Sequence, residues 1–491
     1  MFDVVVVGAG IGGLVAALEL AARGQRVVVY EHAPEIGGKI AVAQVDDVEF
    51  DTGPSLLTWP AVFEGIFARA GTKLEEHLTL TRPDPAFRYI WPDGSRLDLG
   101  PSREAMLQSV RAGLGAAAAR ELDAFLKYAE GIWDVAVPEF LERDAPDFFG
   151  LLKRGLSGLR SAQQIDAFRT MRGAILDRVA SPQLRAILLR FATYTGSDPR
   201  QTPATLCSIA HVEMGLGAFG VRGGMIEVVR AVARLATDAG VAIHCNTKVD
   251  RLALDAGRCR GVVLAGGSHV GARAVICNAD VAHLATSLLP ASARRAVEVP
   301  RDPTTSGVNL VVRARRSEAV RRAGHTVLFS SNVDAEVEDL FDRRRLPAEP
   351  TIYACAQEIA HGRTGWPEHE PLFLMANAPA LRDAPEDAEA VALLESKMLA
   401  RMVGSALLAP DDEVVWRRSP AGLAARFPDS GGALYGPASH GWSAAFKRTA
   451  NAIPDVPGLF VASGSAHPGG GVPMAAMSGR AAARAALEVL R

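Results

Sequence analysis

Phe2-Asp3-Val4-Val5-Val6-Val7-Gly8-Ala9-Gly10-Ile11-Gly12-Gly13-Leu14 is the stretch that decides the fold. The β-branched run from Phe2 to Val7, closed by a glycine, predicts a buried parallel strand. Leu14, Ala17, Leu18 and Ala21 then follow helical spacing until Gly24 stops the helix. Gln25 to Tyr30 predicts a second strand, which ends at Glu31. GxGxxG therefore sits between a strand and a helix, the setting in which it points to a dinucleotide. Gly8 permits the tight turn, Gly10 lets backbone approach a pyrophosphate, and Gly13 lets helix and strand pack closely. The helix N-terminus offers N–H groups and the positive end of its dipole to phosphates. Glu31 is spaced to accept hydrogen bonds from ribose hydroxyls, and its charge disfavours the 2′-phosphate of NADP.

The rest of the chain bounds this reading. Val4 to Ala22 is almost wholly apolar, as a signal peptide or membrane span would be, but no basic segment precedes it and four glycines interrupt it. A chain of 491 residues predicts two or three domains. With 48% hydrophobic and 22% charged residues it can bury a large core, and a net charge of −2 gives no footprint for nucleic acid. Cys207, Cys245, Cys259, Cys277 and Cys355 are odd in number and never spaced CxxC. That argues against a disulfide framework or a metal site and fits a reducing, cytoplasmic compartment.

Further glycine-rich segments follow. Pro34-Glu35-Ile36-Gly37-Gly38-Lys39 and Asp51-Thr52-Gly53-Pro54-Ser55 resemble the second half of the FAD fingerprint of the flavin amine oxidase and carotenoid desaturase superfamily. Lys39 stands where arginine is more usual, so charge is kept but a bidentate contact is lost. Arg222-Gly223-Gly224-Met225 opens a helix, Val241 to Cys245 predicts a strand, and Ala274 to Asp280 closes the segment. In that superfamily this segment returns to the nucleotide domain, with Val249 offering backbone to adenine and Asn278 close to the cofactor. At the end of the chain, Gly458 to Ser465 predicts a strand and turn, His467 to Met474 a loop, and Ala475 to Leu490 a helix. Amides at this helix start would face the flavin, where reduction places negative charge.

His467-Pro468-Gly469-Gly470-Gly471-Val472-Pro473 resembles the C-terminal signature of the bacterial-type carotenoid desaturases. Phe191 to Gly196 with Pro203, Ala204 and Glu213, and Gly432 to Gly436 with Phe446-Lys447-Arg448, are similar to other blocks of that family. Pro473 to Arg480 is closer to the 1-hydroxycarotenoid 3,4-desaturases than to phytoene desaturases. The resemblance implies an α/β fold: a Rossmann-like FAD-binding domain, a mixed-sheet substrate domain and a helical region that contacts membrane. The expected division is 1–75 with 215–290 and 450–491 for FAD, 76–99 with 291–449 for substrate, and 100–214 for the helical region.

The implied FAD contacts are Gly8, Ala9, Gly10, Ile11, Gly12, Gly13, Glu31, His32, Gly38, Lys39, Gly53, Pro54, Ser55, Val249, Asn278, Gly464, Ser465, Val472, Pro473 and Met474. The implied activity is hydride transfer from a linear carotenoid to FAD, most directly 3,4-desaturation of a 1-hydroxycarotenoid, with phytoene desaturation as the alternative. His467 and Glu213 are the candidate catalytic polar residues. A quinone or oxygen would accept the electrons.

Phe87 to Leu99 predicts a hairpin, and Gly307 to Val312, Thr326 to Phe329, Thr351 to Cys355 and Leu372 to Met375 predict strands of the substrate sheet. Phe148 to Arg190 is rich in arginine and partly amphipathic, as either a solvated helical face or a segment lying on an anionic bilayer would be. The expected location is cytoplasmic, peripheral to the inner membrane. An amine or protoporphyrinogen oxidase, or a non-enzymatic prenyl-binding escort protein, remains an alternative on the same N-terminal turn.

Overall fold

A computed structural model describes residues 2–142, 163–299, 301–316, 322–382, 385–441, 443–444 and 448–491. Phe2–Val7 lies at the centre of a seven-stranded sheet, between Val27–Tyr30 and His269–Cys277 and parallel to both. Ala242–His244 and Leu459–Val461 add parallel strands, and Arg258–Leu264 and Val249–Asp255 extend the sheet antiparallel. Val4 to Val7 are buried on both faces because helices and loops cover both. Val4 and Val6 pack with Leu14, Leu18, Ile226 and Ala482, whereas Val5 and Val7 pack with Val262, Leu284 and Leu459. Helix Ile11–Ala21 lies between helices Ile226–Asp238 and Val472–Leu490, so the predicted turn and the two distant segments meet on one sheet.

The second sheet also has seven strands, in the order Glu413–Arg418, Ser306–Arg315, His369–Ala378, Ile352–Ala356, His325–Leu328, Phe87–Ile90 and Arg96–Leu99. It is antiparallel except where His325–Leu328 runs parallel to Phe87–Ile90. Alternation splits its faces. Leu310, Val312, Leu374, Ala376 and Ile352 bury against Leu394 and Met398 of helix Ala388–Gly404, while Asn309, Val327, Tyr353, Phe373, Met375 and Asn377 point into a cavity.

Helices Arg103–Leu114, Ala116–Ala136, Met171–Arg178 and Pro182–Arg190 close the far side, the first, third and fourth started by side-chain caps from Ser102, Thr170 and Ser181. The arginine-rich stretch from Phe148 to Arg160 lies outside the described residues. Its later arginines are largely committed to the protein. Arg169 pairs with Asp166 and Asp177, Arg178 lies over the Tyr128 ring, Arg185 donates to the Val179 carbonyl, and the Arg190 side chain, 10% exposed, reaches Glu213. Among the described residues no helix is long and apolar enough to cross a membrane.

Candidate functional site

A cavity of about 510 Å³ runs from the parallel sheet to the second sheet and the helices. One end is built by the glycine turn. Gly8, with φ +99°, directs the chain out of the first strand, and Gly10, Ile11 and Gly12 line the wall. Asn278 pins this turn: its Oδ1 accepts from the Gly10 amide at 3.0 Å, and its Nδ2 donates to the Ala462 carbonyl. Neither Gly10 before helix Ile11–Ala21 nor Gly471 before helix Val472–Leu490 caps its helix with a side chain. Two sets of helix-start amides are thus left at one cavity.

Glu31 is buried in the same wall, and its carboxylate accepts from the amides of Ala9 at 2.7 Å and Ala33 at 2.8 Å. Burial alone would raise its pKa; the His32 ring and the two amides outweigh this and hold it below the usual carboxylate value. Lys39 Nζ donates to the carbonyls of Ala433 and Leu434, and its one carboxylate, Asp280, is 3.9 Å away. Burial lowers the Lys39 pKa, with Asp280 opposing, and pushes Arg418 down to about 10 beside Arg426. Among the described residues Arg418 and Arg426 have no carboxylate partner and Lys39 has only Asp280 at 3.9 Å; with glycines at the point of approach and two uncapped helix starts, these cations fit the diphosphate of a dinucleotide.

The remaining sequence candidates divide clearly. His32, Gly38, Gly53, Pro54, Ser55, Val249, Gly464, Ser465, Val472 and Pro473 line the cavity. Ala9, Gly13 and Met474 do not; Ala9 instead anchors Glu31, and Gly13 packs against the Gly8 carbonyl. His467 is buried beneath the wall, with its amide donating to Thr449 and its carbonyl accepting from Asn451, so Gly470 and Gly471 take the cavity side of that loop. Glu213 is also one layer back, but Tyr194 donates to it, Arg190 reaches it at 3.5 Å, and both of these line the cavity.

Residues 11–487 match the flavin containing amine oxidoreductase family. The chain belongs to that family. It is 37% identical over 486 residues to hydroxyneurosporene desaturase of Rubrivivax gelatinosus, covering 98% of this chain and 92% of that one. It is 35% identical over 487 residues to hydroxyneurosporene desaturase of Rhodobacter capsulatus, covering 99% and 97%. An oxidoreductase from Methanosarcina mazei has the same fold, with a TM-score of 0.63 at 15% identity over 97% of this chain and 98% of that one. The protein is therefore an FAD-dependent oxidoreductase of this family, and the cavity's glycine-rich end suits the cofactor's phosphates.

The structure also exposes features that the sequence reading missed. Arg418 and Arg426 come from a strand and a helix near position 420 that carry no motif. Glu336 is a buried cavity carboxylate that accepts from Thr351 N at 2.7 Å and Thr351 Oγ1 at 2.6 Å, and burial pushes its pKa up to about 7. The folded protein then keeps a proton that the unfolded chain has already released. Its stabilising effect is complete below the unfolded pKa and disappears as pH rises through about 7. Urea unfolding of wild type and Glu336→Gln at pH 5 and pH 8 is expected to show wild type losing on the order of 2–3 kcal/mol relative to the variant at the higher pH.

Proposed function

We propose that the chain is an FAD-dependent carotenoid desaturase acting on a linear 1-hydroxycarotenoid at its 3,4 bond. Full-length identity to two hydroxyneurosporene desaturases carries this reading, and the cavity suits it. Beyond Ser55 the wall is largely apolar, formed by Leu56, Leu189, Val327, Phe329, Phe373 and Met375, which would hold a polyene by shape and exclude water.

Bound FAD supplies a hydride acceptor, so the hard redox chemistry belongs to the cofactor. Residues 1–75, 215–290 and 450–491 would hold it, with Glu31 at a ribose, Gly8 to Gly13 and Lys39 at the diphosphate, and Ser55 and Pro473 near the ring. Positive charge left on the substrate spreads along its conjugated chain and acidifies the neighbouring C–H, so a strongly basic side chain is not required. A quinone or oxygen takes the electrons onward. A lipid-soluble substrate favours a position peripheral to the cytoplasmic face of the inner membrane, with the 100–214 region toward the bilayer.

Expression in a host accumulating 1-hydroxyneurosporene, and in another accumulating phytoene, tests the assignment. The hydroxylated pigment is expected to gain one conjugated double bond. Flavin-loaded protein that changes neither pigment would overturn it. Lys39→Met and Arg426→Met should each weaken flavin retention about tenfold at low salt, read as flavin per chain after gel filtration, with the difference from wild type shrinking as salt rises.

A further inference from the structure

One group of polar side chains interrupts the largely apolar wall beside Ser55, apart from Glu336, Asn309 and Asn377. Arg190, Tyr194 and Tyr353 line the cavity with Ser55, and Glu213 stands behind the first two. Arg190 is boxed by Phe87, Tyr89, Phe191 and Tyr194, with its guanidinium carbon 5.4 to 5.9 Å from each ring centre. A guanidinium has five N–H donors. Here Nη2 reaches Glu213 at 3.5 Å, and among the described residues Nε has no partner. Burying an ion pair with unfilled donors opposes stability, so the arrangement calls for an oxygen from a ligand.

We propose that Arg190, positioned by Glu213 and Tyr194, donates a hydrogen bond to the oxygen on C1 of the carotenoid and thereby selects hydroxylated chains. This rests on the carotenoid reading above. Covalent geometry makes the placement restrictive: an oxygen on C1 stands only about 3–5 Å from the C3–C4 bond. The group that recognises it must lie beside the flavin-facing segment, and Tyr353 provides that continuity. It lies against Ser55, within electrostatic reach of Arg190 and Tyr194, and its hydroxyl is 2.8 Å from His325 Nδ1. Burial pushes His325 down to about pKa 3, so the imidazole stays neutral and orients the tyrosine without adding charge. An unhydroxylated chain would leave the Arg190 donors unpaired, which is how a polar site rejects an analogue lacking the hydroxyl.

The test compares kcat/KM of the holoenzyme for 1-hydroxyneurosporene and for neurosporene in the same vesicles, with flavin per chain measured on every sample. Wild type is expected to prefer the hydroxylated chain by roughly 100-fold. Arg190→Met combined with Glu213→Gln removes both charges together, so neither is left buried alone. This double variant should cut the preference about 10- to 100-fold with wild-type flavin content. Arg190→Lys, which keeps the charge but not the fork, should fall between them. Should the double variant fail to fold, the lysine variant decides. A preference that survives these changes overturns the inference and leaves the desaturase reading standing. Wild-type holoenzyme that turns over neither carotenoid overturns both.

Discussion

Replacing Gly12 with alanine is expected to cost the protein its flavin and part of its stability. A Cβ at this position would stand 2.6 Å from the Ala462 carbonyl oxygen and 2.8 Å from that of Ala475. Both obstacles are backbone, one from the loop after the last strand and one from the terminal helix, so neither can swing aside. Alanine gains about 1 kcal/mol of helix propensity over glycine. Overpacking a fixed junction costs about 1–3 kcal/mol, and here the clash lies where three segments meet at the cavity. Steric cost therefore wins. Gly131→Ala is the control, since a Cβ there meets nothing within 4 Å, and it should gain up to about 1 kcal/mol. Thermal unfolding and flavin per chain read both variants; a Gly12→Ala protein with wild-type midpoint and full flavin would refute the tight junction.

Glu31→Arg is expected to remove flavin while leaving the chain folded. The wild-type carboxylate holds the Ala9 and Ala33 amides, and its charge is stabilised by them. Arginine offers donors where acceptors are needed, and each unsatisfied buried amide costs about 1–3 kcal/mol. A ribose diol held by the wild-type carboxylate would lose two further hydrogen bonds of about 1 kcal/mol or more each, at least about a 30-fold drop in FAD affinity. Glu31→Gln keeps one acceptor oxygen and should fall between. Unchanged flavin content in Glu31→Arg would refute its ribose role.

The N-terminal unit was legible because strand period, turn and acid all lie within thirty residues. Its partners at Asn278 and Gly464 to Pro473 were legible only through resemblance, since no local pattern ties positions hundreds of residues apart. The hairpin Val42–Val45 and Val48–Asp51 escaped notice, although Asp46-Asp47 between alternating residues was a signal, and Asp46 adopts φ +53° there. Strand Glu413–Arg418 was hidden by its charged residues, which a half-exposed strand at a sheet edge tolerates. Arg190 read as one arginine of a basic stretch; only the packing of Phe87, Tyr89 and Tyr194 around it distinguishes it from neighbours that pair with carboxylates and carbonyls. His467 illustrates the converse. Its neighbours suggested a place at the cavity, yet the loop turns the glycines there instead.

Anaerobic mixing of purified holoenzyme with a 1-hydroxylated carotenoid in vesicles tests the central claim most directly. The oxidised flavin band near ~450 nm and the carotenoid spectrum would be followed together. The account predicts that the flavin band bleaches as the carotenoid absorption moves to longer wavelength, in equal amounts. Bound flavin that keeps its band, with the hydroxylated carotenoid unchanged, would contradict it.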